Sequence, residues 1–343
     1  MPNKTAIAVA CLMLGTIGPV ATAAAPDQAA KTADDADTGI DPTILHAQVI
    51  LDHLGFSPGV LDGRPGQSMT VALKGFQQSR GFKQTGALDP TTMQALRQYR
   101  AMRAVRQLRL TAGGLAGPYV NPMPESPQAK AKLKTLGYLG PMEKLAEMFH
   151  TTPAVLVALN SPTTRLVPGT IVTFPNALPA SRDYDPKLPE AWRRTLSALN
   201  VDAVQPKGAK IVVDRSDSVL RVYDKAGRLI AQFPATMGST HDPLPIGHWK
   251  VQGVSYNPPF HYNPALFWDA KASAKEALLP PGPNGPVGVV WLDLSKPHYG
   301  IHGTPAPETI GRAESHGCIR LSNWDAARLA VMVGAGTPAI FQR

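Results

Sequence analysis

The sequence predicts a multidomain chain: a small helical bundle, a short α/β segment, and a β-rich domain at the C-terminal end. Three observations lead there. The length of 343 residues exceeds one ordinary domain. Apolar residues recur at helical spacing in residues 41–100, whereas alternating strand-like runs begin at Lys210. Proline-rich stretches separate these parts. A hydrophobic content of 43% against 17% charged residues supplies ample core material.

The first 25 residues read as a secretory signal: Lys4, an apolar run from Ala6 to Val20, then small residues to Ala25. The apolar run is too short for a membrane span. No other stretch is apolar enough, so no transmembrane anchor is expected. Residues 26–40 are small and polar and read as a flexible leader. Removal of the signal would take Cys11 with it and leave Cys318 as the one cysteine, with no intramolecular disulfide to form. The location expected is therefore outside the cytoplasm, in the periplasm or cell wall.

Residues 41–100 form the helical unit. Asp41-Pro42 and Asp89-Pro90 each place a capping carboxylate before a proline at the first helical position. One helix would carry Ile44, Leu45, Val49, Leu51 and Leu54, and a second, from about Ser68, would bury Met69, Ala72, Leu73 and Phe76. Glycine-rich turns join them. The net charge is +9 and mostly scattered, but arginines recur every third residue from Arg97 to Arg109. On a helix that row drifts around the axis rather than forming one stripe. It reads as a solvated face, with electrostatic contact to wall polymer or membrane as the alternative. Without a clustered basic face, nucleic acid is not an expected partner. Residues 101–137 and 178–207 read as linkers. Between them, residues 138–177 hold two short helices, ending at Asn160, and a strand after Val167-Pro168-Gly169.

From residue 208 the strands are Lys210–Val213, Val219–Tyr223, Leu229–Ala235, Gly247–Val254, Val287–Leu294 and Thr337–Phe341, with one clear helix, Asn323–Met332. Here lies the chemistry. Tyr299-Gly-Ile-His302-Gly303-Thr304 is followed by Ser315-His316-Gly317-Cys318-Ile-Arg320. A cysteine attacks carbonyls as thiolate, and a neighbouring imidazole can take its proton and return it to the leaving group. Both His302 and His316 are near enough in sequence, and spacing alone does not choose between them. Gly317 permits a tight backbone whose N–H groups, with those of His316 and Cys318, would face an oxyanion. Gly303 would leave a carbonyl open to hold the His302 ring. No second cysteine or His/Asp pair sits at metal-ligand spacing, so neither metal nor cofactor is expected. His261 and His298 have no spacing that argues for chemistry. Residues 255–285, rich in proline and aromatics including Trp268, read either as a lid or as a packed loop.

Three resemblances sharpen this. Leu61-Asp-Gly63, Gly66, Thr70, Phe76-Gln77, Gly81, Gly86-Ala-Leu88-Asp89 and Thr92 resemble the three-helix peptidoglycan-binding module. Residues 138–177 resemble a LysM-type glycan-binding segment, although its first strand is poorly marked. Residues 208–343 resemble the L,D-transpeptidase catalytic domain through Tyr299–Thr304, Ile310-Gly311, Ser315–Leu321 and Gly336-Thr337. Upstream, Pro243–Gly247, Asn257-Pro-Pro and Leu279–Asn284 fit as well. The last resemblance implies Cys318 as nucleophile and His302 as acid/base. It makes His316 and Gly317 oxyanion or positioning residues and Ser315 a turn hydrogen-bonder. Arg320 either holds a substrate carboxylate or braces the loop. Tyr299 and Thr304 fall in the substrate-binding motif. The implied reaction acylates Cys318 with a peptidoglycan stem peptide and passes the acyl group to an amine, of a second stem or of a lipoprotein. Two alternatives stay open: water as acceptor, giving an L,D-carboxypeptidase or amidase, or a non-catalytic peptidoglycan-binding protein.

Overall fold

The structure is a computed structural model that describes residues 39–267, 273–315 and 317–343. The expected signal peptide, all but the last two leader residues, Trp268 and His316 lie outside the described residues.

Helix α1 (Pro42–His53) begins where Asp41 accepts hydrogen bonds from the Thr43 and Ile44 N–H groups, and α3 (Pro90–Leu96) where Asp89 caps Thr92. These are the two Asp-Pro starts. With α2 (Gln67–Ser79) they bury Leu51, Met69, Leu73 and Phe76. Helix α3 does not continue through the arginines. A single 3-10 turn, Arg97–Tyr99, ends it, and Val105–Arg109 becomes strand β1. The helical reading of the arginine row is therefore corrected. Strand β1 gains backbone bonds from β2 (Ile171–Pro175), to which it pairs antiparallel.

That pairing also redraws the middle of the chain. Helices α5 (Pro141–Met148) and α6 (Pro153–Leu159) precede β2 as expected. The missing first strand is β1, upstream of 138, inside what reads as linker. Asn160 closes this segment: its side-chain amide donates to Thr173 O and its oxygen accepts from Thr173 N–H, both at 2.8 Å. The same stretch of linker also contains a short helix, α4 (Pro127–Lys130).

The second expected linker, 178–207, holds helix α7 (Glu190–Ala198), which packs into the same hydrophobic core as the C-terminal strands. Trp192 is buried and stacks on Tyr256 at 4.7 Å, and Leu196 and Leu199 follow it into the same core. Only Trp192 and Leu196 are buried within this charged helix, too few apolar positions for a clear periodic signal.

The remaining strands are β3 (Lys210–Asp214), β4 (Val219–Tyr223), β5 (Leu229–Pro234), β6 (Thr236–Met237), β7 (Gly247–Tyr256), β8 (Phe260–Tyr262), β9 (Ala277–Leu279), β10 (Val290–Leu294), β11 (Gly300–His302), β12 (Ile319–Arg320) and β13 (Pro338–Gln342). Nine of them form one sheet, in the order β5-β4-β3-β13-β7-β10-β11-β12-β6. Strands β3 and β13 pair parallel, as do β11 and β12; the other neighbours are antiparallel. Helix α8 (Asn323–Met332) packs on β10 and β11 and buries Trp324 and Leu329. Strands β8 and β9 form a separate hairpin in the segment read as lid or loop.

The helical bundle covers the β5 edge. Gln232 N–H donates to Gly55 O, Ser57 N–H donates to Gln232 O, and the Gln232 amide donates to Val71 O. A free sheet edge is thereby paired off. A second seam is charged and buried. Asp52 of α1 meets Arg328 of α8 at 3.3 Å and His150 Nδ1 at 3.0 Å. His150 Nε2 lies 2.8 Å from Leu199 O, and its ring stacks on Trp324 at 5.1 Å. Burial opposes ionisation of Asp52, but Arg328 and His150 hold its carboxyl well below the usual range.

Candidate active site

The parallel pairing of β11 with β12 builds the site. Its register sets Ile301 opposite Ile319 and His302 opposite Arg320. Cys318 immediately precedes β12, so it lies beside Gly300, one diagonal step from His302 on the same face. Cys318 and His302 both line a cleft of about 550 Å³, together with Tyr299, Arg320, Trp291 and His298.

His302 is buried, with its ring against Trp291 at 5.5 Å and 18° between planes. Its Nδ1 lies 2.8 Å from the Gly303 carbonyl oxygen, which makes Nδ1 the donor and leaves Nε2 unprotonated. Nε2 has no hydrogen-bond partner among the described residues. Burial is the main cause that lowers the His302 pKa, to about 4, with Arg320 adding to it and the Gly303 bond opposing.

Gly303 must be glycine. A Cβ there would meet Asn323 Oδ1 at 2.1 Å. Asn323, wholly buried at the start of α8, accepts from Val289 N–H and donates to Glu147 Oε1 at 2.8 Å. The residue whose carbonyl meets His302 thus packs against a side chain hydrogen-bonded to α5. Burial raises the Glu147 carboxyl to about 7.

Cys318 is half-buried. Its thiol lies 3.8 Å from the His298 carbonyl oxygen. Burial pushes the thiol pKa up, opposed in part by the Gly300 N–H and by Arg320. The resting pair is therefore a neutral thiol and a neutral imidazole. Gly317 has φ +94°, and a Cβ there would meet the Tyr299 ring at 2.6 Å. Left-handed backbone and close ring together demand glycine. His316, between Ser315 and Gly317, lies outside the described residues.

Ser315 is buried and bonds only backbone: Oγ donates to Cys318 O at 2.7 Å and accepts from Gly238 N–H. It ties the Cys318 loop to the turn after β6. Arg320 lines the cleft and also donates to Glu314 O at 3.3 Å. Thr304 is buried and caps a turn through Ala306 N–H. The sequence motifs do not single out Trp291, Asn323 or His298. Trp291 and Asn323 act through long-range packing, and His298 through its backbone carbonyl, which no side-chain pattern marks.

Residues 208–341 match the family described as L,D-transpeptidase catalytic domain, and residues 41–96 match "Putative peptidoglycan binding domain". The "Putative L,D-transpeptidase in ATP synthase subunits region ORF 5" of Fuscovulum blasticum is 30% identical over 150 residues, covering 43% of this chain and 72% of that protein. The "Putative L,D-transpeptidase YkuD" of Bacillus licheniformis is 34% identical over 128 residues, 37% of this chain. This chain spans only 62% of that protein's length, and 37% of its Bacillus subtilis counterpart. A solved L,D-transpeptidase from Mycobacterium smegmatis covers 39% of this chain and 58% of its own, at 23% identity and a TM-score of 0.32. That likeness is too slight to bear on function; the sequence matches are enough to conclude that the chain belongs to the L,D-transpeptidase family.

Proposed function

We propose that this protein is an exported, cysteine-dependent L,D-transpeptidase of the cell wall. One observation carries the reading: Cys318 and a singly tethered His302 share one face of the sheet and one cleft. The thiol gives its proton to His302 Nε2 as sulfur attacks the donor carbonyl. The carbonyl electrons move to oxygen, where N–H groups at Gly317 and Cys318 face them. Collapse breaks the C–N bond, and His302 returns the proton to the departing amine. The acceptor amine then attacks the thioester, losing its proton through His302 to the sulfur. Peptidoglycan is the proposed partner for both the bundle and the cleft. The LysM-like role of β1, α5, α6 and β2 is likewise a proposal, supported by their antiparallel closure.

Cys318→Ala should abolish the covalent adduct with a carbapenem and the formation of dimers from tetrapeptide stems. Persistence of either in that variant ends the assignment. Mass spectrometry of products separates amine from water as acceptor: dimers indicate transpeptidation, trimmed monomers hydrolysis. The neutral resting thiol makes a general alkylating reagent a poor discriminator from a mere binding protein, because the protonated form reacts slowly.

A further inference from the structure

Part of the cleft wall comes from outside residues 208–343. Glu125 and Lys130, in the stretch that reads as linker, line the cavity that holds Cys318. This stretch is fastened in place. The Gln128 amide donates to Lys275 O at 2.8 Å, and Thr135 Oγ1 donates to Pro281 O at 2.8 Å. Leu136 N–H donates to Pro281 O, and Asn284 N–H returns to Leu136 O, both at 2.9 Å. Glu125 and Lys130 are therefore held at the cleft by backbone that is tied to the β8–β9 hairpin and the loop after it.

Neither the Glu125 nor the Lys130 side chain has an ion-pair or hydrogen-bond partner among the described residues. Arg320 and Asp242 add one further charge of each sign to a cleft otherwise walled largely by aromatic and aliphatic side chains. Two signs on one wall do not suit a purely anionic ligand; they suit one that carries both charges. We propose that Glu125 and Lys130 form a substrate-selecting subsite for a peptide with a free carboxylate and a free ammonium. Lys130 takes the carboxylate and Glu125 the ammonium. This rests on the reading of Cys318 as the acylated residue, and it assigns donor selection to a segment outside the catalytic domain.

The test uses the full chain and four synthetic donor tetrapeptides with a lysine at the third position. One has its carboxylates and side-chain amine free; the others have the carboxylates amidated, the amine acetylated, or both. Acylation is followed by intact mass. Lys130→Met should raise KM about threefold to tenfold for the donors with free carboxylates and leave the amidated donors unchanged. Glu125→Gln should do the same for the free amine alone. Acylation by the doubly modified donor, which offers neither charge to the subsite, should be unchanged in both. Losses that ignore the charge on the donor, or no loss at all, overturn the subsite while leaving the transpeptidase reading intact. Should no donor acylate the wild-type chain, equilibrium binding of the same four peptides to Cys318→Ala still decides the subsite. Charge-matched weakening in Lys130→Met and Glu125→Gln on that background supports it, and uniform binding refutes it.

Discussion

Two histidines in this molecule have nearly the same surroundings and opposite uses. His150 and His302 are both buried, and each stacks on a tryptophan, at 5.1 Å and 5.5 Å. Both use Nδ1 in a hydrogen bond. The difference is the other nitrogen. His150 Nε2 is committed to Leu199 O, so its ring bridges Asp52 to the α7 end and has both nitrogens engaged. His302 Nε2 has no such partner and opens on the thiol's cleft. Burial and stacking do not set the proposed base apart; one nitrogen left unspent does.

Substitutions can break this comparison. The largest expected effect is on His302. His302→Gln should slow carbapenem acylation by about 10²- to 10⁴-fold, the usual worth of a general base. Its unfolding midpoint should change little. A loss of only severalfold would mean that another group takes the proton. Next comes the structural counterpart. Asp52→Ala leaves Arg328 buried and His150 half-tethered, and should cost about 3–5 kcal/mol of stability in denaturant titration. Acylation per folded molecule should stay within about twofold. A large catalytic loss without unfolding would show that the seam is part of the active site.

Gly303→Ala tests the tether. The new Cβ must displace Asn323, at an expected cost of about 1–3 kcal/mol, and the shifted carbonyl should slow acylation while leaving the adduct chemically the same. Wild-type rates in that variant would remove Gly303 from the orientation of His302.

The smallest expected effect is that of pH. With His302 near 4 and the thiol raised, the neutral pair persists, and the acylation rate should be flat between pH 5.5 and 7.5. A midpoint near the ordinary histidine value would contradict a buried, neutral base. The same shift has a stability consequence. Between about pH 6.5 and 4 the unfolded chain binds a proton that the folded ring refuses, so stability falls as pH falls through that window. His302→Gln should lose that part of the acid sensitivity.

The sequence carries the proposed nucleophile and base because both lie in short local motifs, and β11 and β12 are only a few residues each. It also carries α8, whose bounds match the expected Asn323–Met332, and the two Asp-Pro helix starts. It misses what distance in the chain creates. Strand β1 is recognisable only once β2 is beside it; of the arginine row only Arg106 and Arg109 lie in it, both exposed and three residues apart, so they point to opposite faces. Helix α7 looks like linker because two apolar residues do its packing. Proline-rich residues 118–137 look like a spacer, yet hydrogen bonds from two side chains fasten them over the cleft. Asn323 packs against Gly303, 20 positions away, and nothing in its neighbourhood advertises that.

The neutral resting pair has one more consequence. Peroxide and similar oxidants attack thiolates, and a buried thiol whose pKa is raised offers little thiolate at neutral pH. On the proposed mechanism, activation waits for a carbonyl to enter the cleft and for His302 to accept the proton in the same event. On that reading Cys318 is chemically quiet between turnovers.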